Sequence, residues 1–409
     1  MNSTLMDSQQ TPQPSAIRQG NSLLSAPSPL AQVETYRLEF SGTGAEYFRI
    51  WIVNLLLILV TFGIYLPWAK VRKLKYFYGN TRLDGHAFDF HAKPSKMLRG
   101  TLIAGIFFGV YSIASDFSAW AGVIALLIFT IVWPVLYRAS LKFRFSNTSW
   151  RGLRLRLAPS NLSEVYAAVL PPNLLLLVPL AISSFSKSKD DAQLIASPMW
   201  DWIATGFGIA FLVTLPYFLW RINKFWLGHV AWGPLRLEFR SEPKETYTVF
   251  LKTLFMALLI VAFFAAAALI LMPGIFRASN AKASIAGAVV FVPLLFGFII
   301  AMNILPRAFF SASMHNLLWS KTGNRHLRFK SDLGVGSYMF LQLKNYFLIA
   351  ITLGLYWPFA AVATKRMQIE AINMKNRVAL DTLTDAARKV ETDALGDMAA
   401  DLFDFDLGM

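Results

Sequence analysis

Three stretches of this sequence carry no ionisable side chain at all: residues 120–136, 254–272 and 284–305. About 20 residues rising 1.5 Å each cross the ~30 Å hydrocarbon layer, so uncharged runs of roughly 18 or more read as membrane spans. A soluble core helix of this length would keep a charged stripe for solvent. The chain is therefore expected to be an α-helical polytopic membrane protein. Its makeup agrees, with 55% hydrophobic and only 15% charged residues, where a soluble domain carries about 25% charged.

Apolar runs predict eight membrane segments, at about 48–68, 97–115, 120–137, 164–183, 200–220, 247–272, 284–306 and 338–360. The connections alternate in length and charge. The long ones, 69–99, 138–164, 221–246 and 307–337, hold 24 Lys and Arg, and the short ones, 116–119, 184–199 and 273–283, hold 4. That asymmetry predicts cytoplasmic long loops by the positive-inside rule. The net charge of +15 then reads as orientation and contact with anionic lipid headgroups, not nucleic-acid binding.

Each long loop alternates apolar and polar residues on both sides of a Gly-containing turn, a β-hairpin pattern. The expected hairpins lie at about 74–92, 141–158, 224–240 and 310–330. An isolated two-stranded hairpin is marginal, so the four are expected to pair into a small cytoplasmic sheet, with 36–40 (YRLEF) as an added edge. Internal repetition supports one architecture of duplicated units. Asn80-Thr81 and Gly85 recur 67 residues later as Asn147-Thr148 and Gly152. Prolines recur at Pro67, Pro134, Pro216, Pro306 and Pro358. A shift of 291 residues matches 10 of 25 positions from Tyr47 to Val71 with Tyr338 to Val362, among them Asn54, Thr61, Gly63, Tyr65 and Pro67 with Asn345, Thr352, Gly354, Tyr356 and Pro358.

Two topologies remain open at this point. Eight full crossings put both termini in the periplasm, which would keep 36–40 out of a cytoplasmic sheet. Six crossings plus two re-entrant segments, 48–68 and 338–360, would admit it. Both of those segments carry a deep Asn and a helix-breaking Gly-x-Tyr-x-Pro, and such backbone is tolerated at membrane depth where protein buries it.

The run TFGIYLPWAKVRKLKYFYGNTRLDG (61–85) resembles the signature of the YjgN family, bacterial inner-membrane proteins of unknown function. The matching positions are Asn54, Gly63, Tyr65, Pro67, Trp68, Ala69, Lys70, Arg72, Tyr76, Tyr78, Thr81, Arg82 and Gly85. The second copy departs, with Ala361 and Ala363 where the first has Lys70 and Arg72. The likeness covers roughly 36–375 and implies a multi-pass inner-membrane location. It implies no reaction or catalytic residue.

Chemistry is sparse. With no cysteine, thiol chemistry and cysteine-ligated metals are excluded. His86 and His91 sit near Asp84 and Asp89, but on an alternating strand they point to opposite faces, so no metal or other cofactor is expected. The chain is read as non-enzymatic. Polar residues within membrane segments are where function is sought, which singles out Asn54, Gly63, Tyr65, Pro67, Asn345, Gly354, Tyr356 and Pro358, with the loop positions Lys70, Arg72, Asn80, Thr81 and Gly85. A small-solute transporter or channel-like protein is the leading expectation, and an envelope scaffold or partner-binding protein the alternative. Homo-oligomer and protein partners both stay open. The polar residues 1–33 are expected as a disordered tail without signal-peptide character, and 379–409 as an acidic tail.

Overall fold

The computed structural model describes residues 34–187, 197–233, 235–271 and 281–378, together with 380–382, 384, 385 and 388. The expected N-terminal tail, 1–33, and most of the acidic tail, 379–409, lie outside the described residues. In chain order the elements are β1 (Glu34–Phe40), α1 (Gly44–Val60), α2 (Leu66–Gly79), β2 (Thr81–Leu83), β3 (His86–Phe90), α3 (Pro94–Phe117), α4 (Ala119–Ser146), β4 (Thr148–Trp150), β5 (Leu153–Leu157), α5 (Leu162–Lys187) and α6 (Pro198–Gly228). They continue with β6 (Val230–Trp232), β7 (Leu235–Arg236), β8 (Glu238–Phe239), α7 (Pro243–Leu271), α8 (Ala281–Ser320), β9 (Thr322–Gly323), β10 (Leu327–Ser331), α9 (Val335–Ile351), α10 (Trp357–Glu370) and β11 (Ile372–Asn376).

Among the described residues six helices, α3 to α8, are long and apolar enough to cross a bilayer. The first and last expected segments are different. Instead of single helices, 48–68 and 338–360 fold as helix–turn–helix, broken at 61–65 and 352–356. Each pair leaves the sheet and returns to it, because β1 and β2 are paired neighbours, as are β10 and β11. Eight continuous spans are therefore not what this chain forms.

The strand pairs are also shorter than the alternating sequence suggested. Residues 74–79, 141–146, 224–228 and 310–320 are the closing turns of helices. A four- or five-residue alternation is barely longer than one helical turn, so it does not separate a period of 2 from one of 3.6. In Lys142-Phe143-Arg144-Phe145 the Phe145 ring is buried, and Phe143 packs against the Val71–Phe90–Ala92 cluster. The helix ends where side chains take its last carbonyls. Asn147 Nδ2 donates to Phe143 O at 2.6 Å and Thr148 Oγ1 to Arg144 O at 2.9 Å. Asn80 and Thr81 do the same to Tyr76 O and Phe77 O, at 2.9 and 2.8 Å.

Strand pairing runs in the order β7-β6-β5-β4-β3-β2-β1-β11-β10-β9-β8, every pair antiparallel. The two ends of that order, β7 and β8, are separated in sequence only by Leu237. Leu237 N–H bonds Val230 O on β6, whereas Glu238 and Phe239 pair with β9. One extended segment thus joins both ends, and among the described residues the strand order closes into a ring. β1, β3 and β5 each pass from one neighbour to the next, as when Glu34–Arg37 pair with β11 and Leu38–Phe40 with β2. Five backbone bonds repeat around the ring, each from the N–H of the residue after one strand to the carbonyl of the residue before the next strand in the order. They are Ser41 to Asn80, His91 to Asn147, Ala158 to His229, Arg240 to Lys321 and Asp332 to Ala371, at 2.8 to 3.0 Å. Inside the ring Leu38, Leu83, Trp150, Leu327, Ile372, Met374 and Leu380 form one core, with Trp232, Leu237 and Trp319 packed against it.

Five helical hairpins rise from this ring on one side, since each returns its chain to the sheet: α1–α2, α3–α4, α5–α6, α7–α8 and α9–α10. The first helix of a hairpin packs between its own partner and the second helix of the preceding hairpin. Val165, Ala168 and Val169 of α5 meet Phe225 and Trp226 of α6 and Tyr137 and Leu141 of α4. Tyr47 and Ile50 of α1 meet Tyr76 and Phe77 of α2 and Val362 of α10. That last contact closes the helices into a ring above the strands.

Candidate functional site

The two short hairpins carry most of the residues singled out by sequence, and their turns are superimposable in hydrogen bonding. Gly63 N–H donates to Ile58 O and Gly354 N–H to Ile349 O, both at 2.8 Å. Phe62 and Leu353 precede them at φ +50° and +49°, and the glycines lie at +89° and +94°. These are the left-handed helix endings in which glycine costs least. Thr61 Oγ1 donates to Leu57 O at 2.7 Å and accepts from Tyr65 N–H at 3.1 Å, which ties the two helices across the turn. Thr352 does the same between Leu348 O and Tyr356 N–H, at 2.7 and 3.0 Å. Pro67 and Pro358 occupy the first turns of α2 and α10, where a missing N–H costs nothing. Both are buried. Tyr65 stacks on Trp68 and Tyr356 on Phe359.

Deeper in each hairpin the copies diverge. Asn54 is buried and accepts from Arg72 Nη1 at 3.5 Å, a long contact, while the same guanidinium lies over the Tyr65 ring at 5.6 Å. Asn345, 1% exposed, donates through Nδ2 to Thr364 Oγ1 at 3.3 Å, and Gln342 donates to the same oxygen at 3.1 Å. Asn345 Oδ1 is buried and has no partner among the described residues. Ala363 stands where the first copy has Arg72, so the donor is missing. The two asparagines are held apart in separate hairpins and share no hydrogen bond. Lys70 is exposed on α2. Asn80, Thr81 and Gly85 serve the strand end of the unit: Ser41 Oγ donates to Asn80 Oδ1 at 3.0 Å, and Asp84 and Gly85 form a turn with φ of +51° and +72°, the geometry of a tight type I′ hairpin.

The histidines are dispersed. His91 Nε2 lies 2.7 Å from Ser149 Oγ, His229 Nε2 lies 3.0 Å from Glu164, and His315 Nδ1 lies 3.0 Å from Ser331 Oγ. Among the described residues no group of three or more His, Cys, Asp or Glu is placed to hold a metal.

A group that sequence spacing did not reveal lies inside the helical ring. The second helices of the hairpins face one another there: Phe145 of α4 stacks on Trp226 of α6, and Lys73 Nζ of α2 sits 5.1 Å above the Trp357 ring of α10. Lys365 of α10 keeps accessible surface, and its Nζ donates to Gln368 Oε1 at 3.2 Å. Burial, with Arg144 of α4 and Lys73 of α2 near it, pushes its ammonium below the ordinary lysine value. The three cations come from three different helices, α2, α4 and α10. The sequence separations, from 71 to 292 residues, hid this cluster, and all three looked like ordinary basic residues at span ends.

A family model described as a bacterial protein of unknown function (DUF898) matches residues 35–402. The chain is 29% identical over 123 residues to the inner membrane protein YjgN of Escherichia coli O157:H7 and to that of Escherichia coli strain K12. Those alignments cover 30% of this chain and 31% of each relative. Over 73 residues it is 37% identical to the inner membrane protein YjgN of Salmonella typhimurium strain LT2, 18% of either chain. The matched part thus spans less than a third of the length of these curated relatives. No solved structure matches.

Proposed function

The chain belongs to the bacterial family of unknown function DUF898, and from that premise we propose that it is a multi-pass inner-membrane protein whose helical ring surrounds an axial path for small anions, closed at the cytoplasmic end by the strand ring. The location follows the names of its relatives and the six helices able to span. A cytoplasmic strand ring fits the 24 Lys and Arg of the long loops. The first and last hairpins act as re-entrant copies of one duplicated unit. Their 17-residue first helices rise about 25 Å, short of the ~30 Å hydrocarbon layer. Their tips are apolar and open, with Phe62 98% and Leu353 94% exposed, an arrangement suited to lipid and costly in water.

What supports the anion path is that Lys73 and Arg144 lie near enough to Lys365 to lower its pKa, while all three keep accessible surface. Among the described residues none of the three forms an ion pair with a carboxylate. Rings of Lys and Arg select anions by this means. The test is flux of chloride, nitrate and phosphate into liposomes holding the purified protein, read with an anion-sensitive dye. Flux above that of protein-free liposomes is expected, with a drop of about tenfold or more in Arg144→Ala/Lys365→Ala. Wild-type protein that passes no anion under any membrane potential would end the reading.

A further inference from the structure

A second cationic group lies between the two helices of the first hairpin. Arg49, Ile50 and Val53 of α1 and Arg72, Lys75 and Tyr76 of α2 line a groove of about 490 Å³. Arg49, Arg72 and Lys75 are exposed, and no carboxylate forms an ion pair with any of them among the described residues. The nearest acid is Glu46, one turn before Arg49. Its carboxylate is occupied by Thr43 N–H at 3.3 Å and the Tyr76 hydroxyl at 3.1 Å. Arg72 is held in place by Asn54 and the Tyr65 ring, which use only part of its donor set.

The second hairpin supplies an internal control. It has the same turn and the same helix packing, but Arg49 is replaced by Phe340 and Arg72 by Ala363. At the position of Lys75 it has Arg366, which donates to Gly42 O at 2.8 Å. The fold therefore does not need the charges of Arg49 and Arg72, and those two call for another explanation.

We propose that the groove of Arg49, Arg72 and Lys75 binds the phosphate of an anionic phospholipid headgroup at the cytoplasmic face of the membrane. Counted along the helices, the cations lie about 6–10 Å from the strand ring, where the layer of lipid phosphates meets the sheet side of the hairpin. Arg and Lys suit a phosphate ester, the fork for bidentate contact and the ammonium as a point charge. A free phosphate offers the same oxygens, but the apolar wall favours the lipid: Ile50 and Val53 continue into exposed Leu56, Leu59 and Val60, a track for an acyl chain. The inference rests on the re-entrant reading of this hairpin and makes no use of the axial path.

The test uses the full chain, solubilised and analysed by native mass spectrometry with added phosphatidylglycerol or phosphatidylcholine. Wild-type protein is expected to retain one phosphatidylglycerol about tenfold more tightly than phosphatidylcholine. Arg49→Phe/Arg72→Ala, which copies the second hairpin, is expected to lose that preference while staying monodisperse. If it does not fold, Lys75→Gln supplies a milder loss of several-fold. Equal retention of both lipids by wild type, or an unchanged preference in a folded variant, overturns the proposal. Displacement of the lipid by millimolar inorganic phosphate, with no preference between the two lipids, would assign the groove to a free anion instead. Failure of the re-entrant reading is distinguishable, because it appears as labelling of Phe62→Cys by a membrane-impermeant thiol reagent.

Discussion

Asn54 and Asn345 occupy matching positions 291 residues apart, yet the energetics of the two sites differ. At Asn54 the amide oxygen faces a guanidinium; at Asn345 it is buried and unpartnered among the described residues. A buried acceptor without a donor costs about 1–3 kcal/mol, and a typical hydrogen bond contributes only about 1 kcal/mol. Asn345→Leu is therefore expected to be neutral or slightly stabilising, and Asn54→Leu to destabilise by about 1 kcal/mol, in thermal unfolding of the detergent-solubilised protein. Equal losses at both sites would contradict this account. The asparagines and the missing Arg were legible in the sequence as a repeat and its departure. That Arg72 is Asn54's own partner was not, because their contact crosses between two helices 18 residues apart.

At the level of elements, the turn of the short hairpins depends on a threonine that neither helix could do without. Thr61→Val and Thr352→Val each remove a bond to one helix and the cap of the next, and each should cost about 1 kcal/mol, checked by the same melting experiment. The absence of cysteine makes single-thiol mapping clean. Phe62→Cys and Leu353→Cys are expected to resist impermeant maleimide from both sides of inside-out and right-side-out vesicles. Lys330→Cys, on an exposed strand position, is expected to react only from the cytoplasmic side. Reaction of the tip cysteines from the periplasmic side would mean that these hairpins cross. Membrane helices could be located from sequence because hydropathy is a local property summed over 20 residues. Their ends could not, since aromatic and basic residues at a span end satisfy a helical turn and a strand equally well.

For the molecule as a whole, closure of the strand ring sets what the C-terminal residues do. Leu380, 2% exposed, enters the same core as Leu38, Trp150 and Met374. Beside it Asp381 bonds Arg151 at 2.6 Å, and Arg151 also holds Asp84 at 2.6 Å. Leu380→Ala should cost about 2–4 kcal/mol, as other buried leucines do. Asp381→Asn should cost under about 1 kcal/mol, because its carboxylate is 84% exposed and the pair is screened by solvent. Comparable losses for the two would show that the charge, not the packing, anchors this segment. The axial cations carry a pH dependence of known sign. Lys365 has a lowered pKa, so it loses its charge at a less alkaline pH than an ordinary lysine, and anion flux should decline as pH rises through that range. Flux that increases with pH would oppose an electrostatic role for Lys365.

The amino-acid sequence alone determined that this chain lives in a membrane, which loops are basic, which residues recur 291 positions apart and which family it resembles. Those properties are summed over neighbours along the chain, so no folding is needed to read them. Only the tertiary structure decided that 48–68 and 338–360 turn back, that Leu237 links the two ends of the strand order, and that Lys73 and Arg144 come near Lys365. Each of these depends on which distant segments come together. Hydropathy records how a residue prefers its solvent and says nothing about which partner it will face.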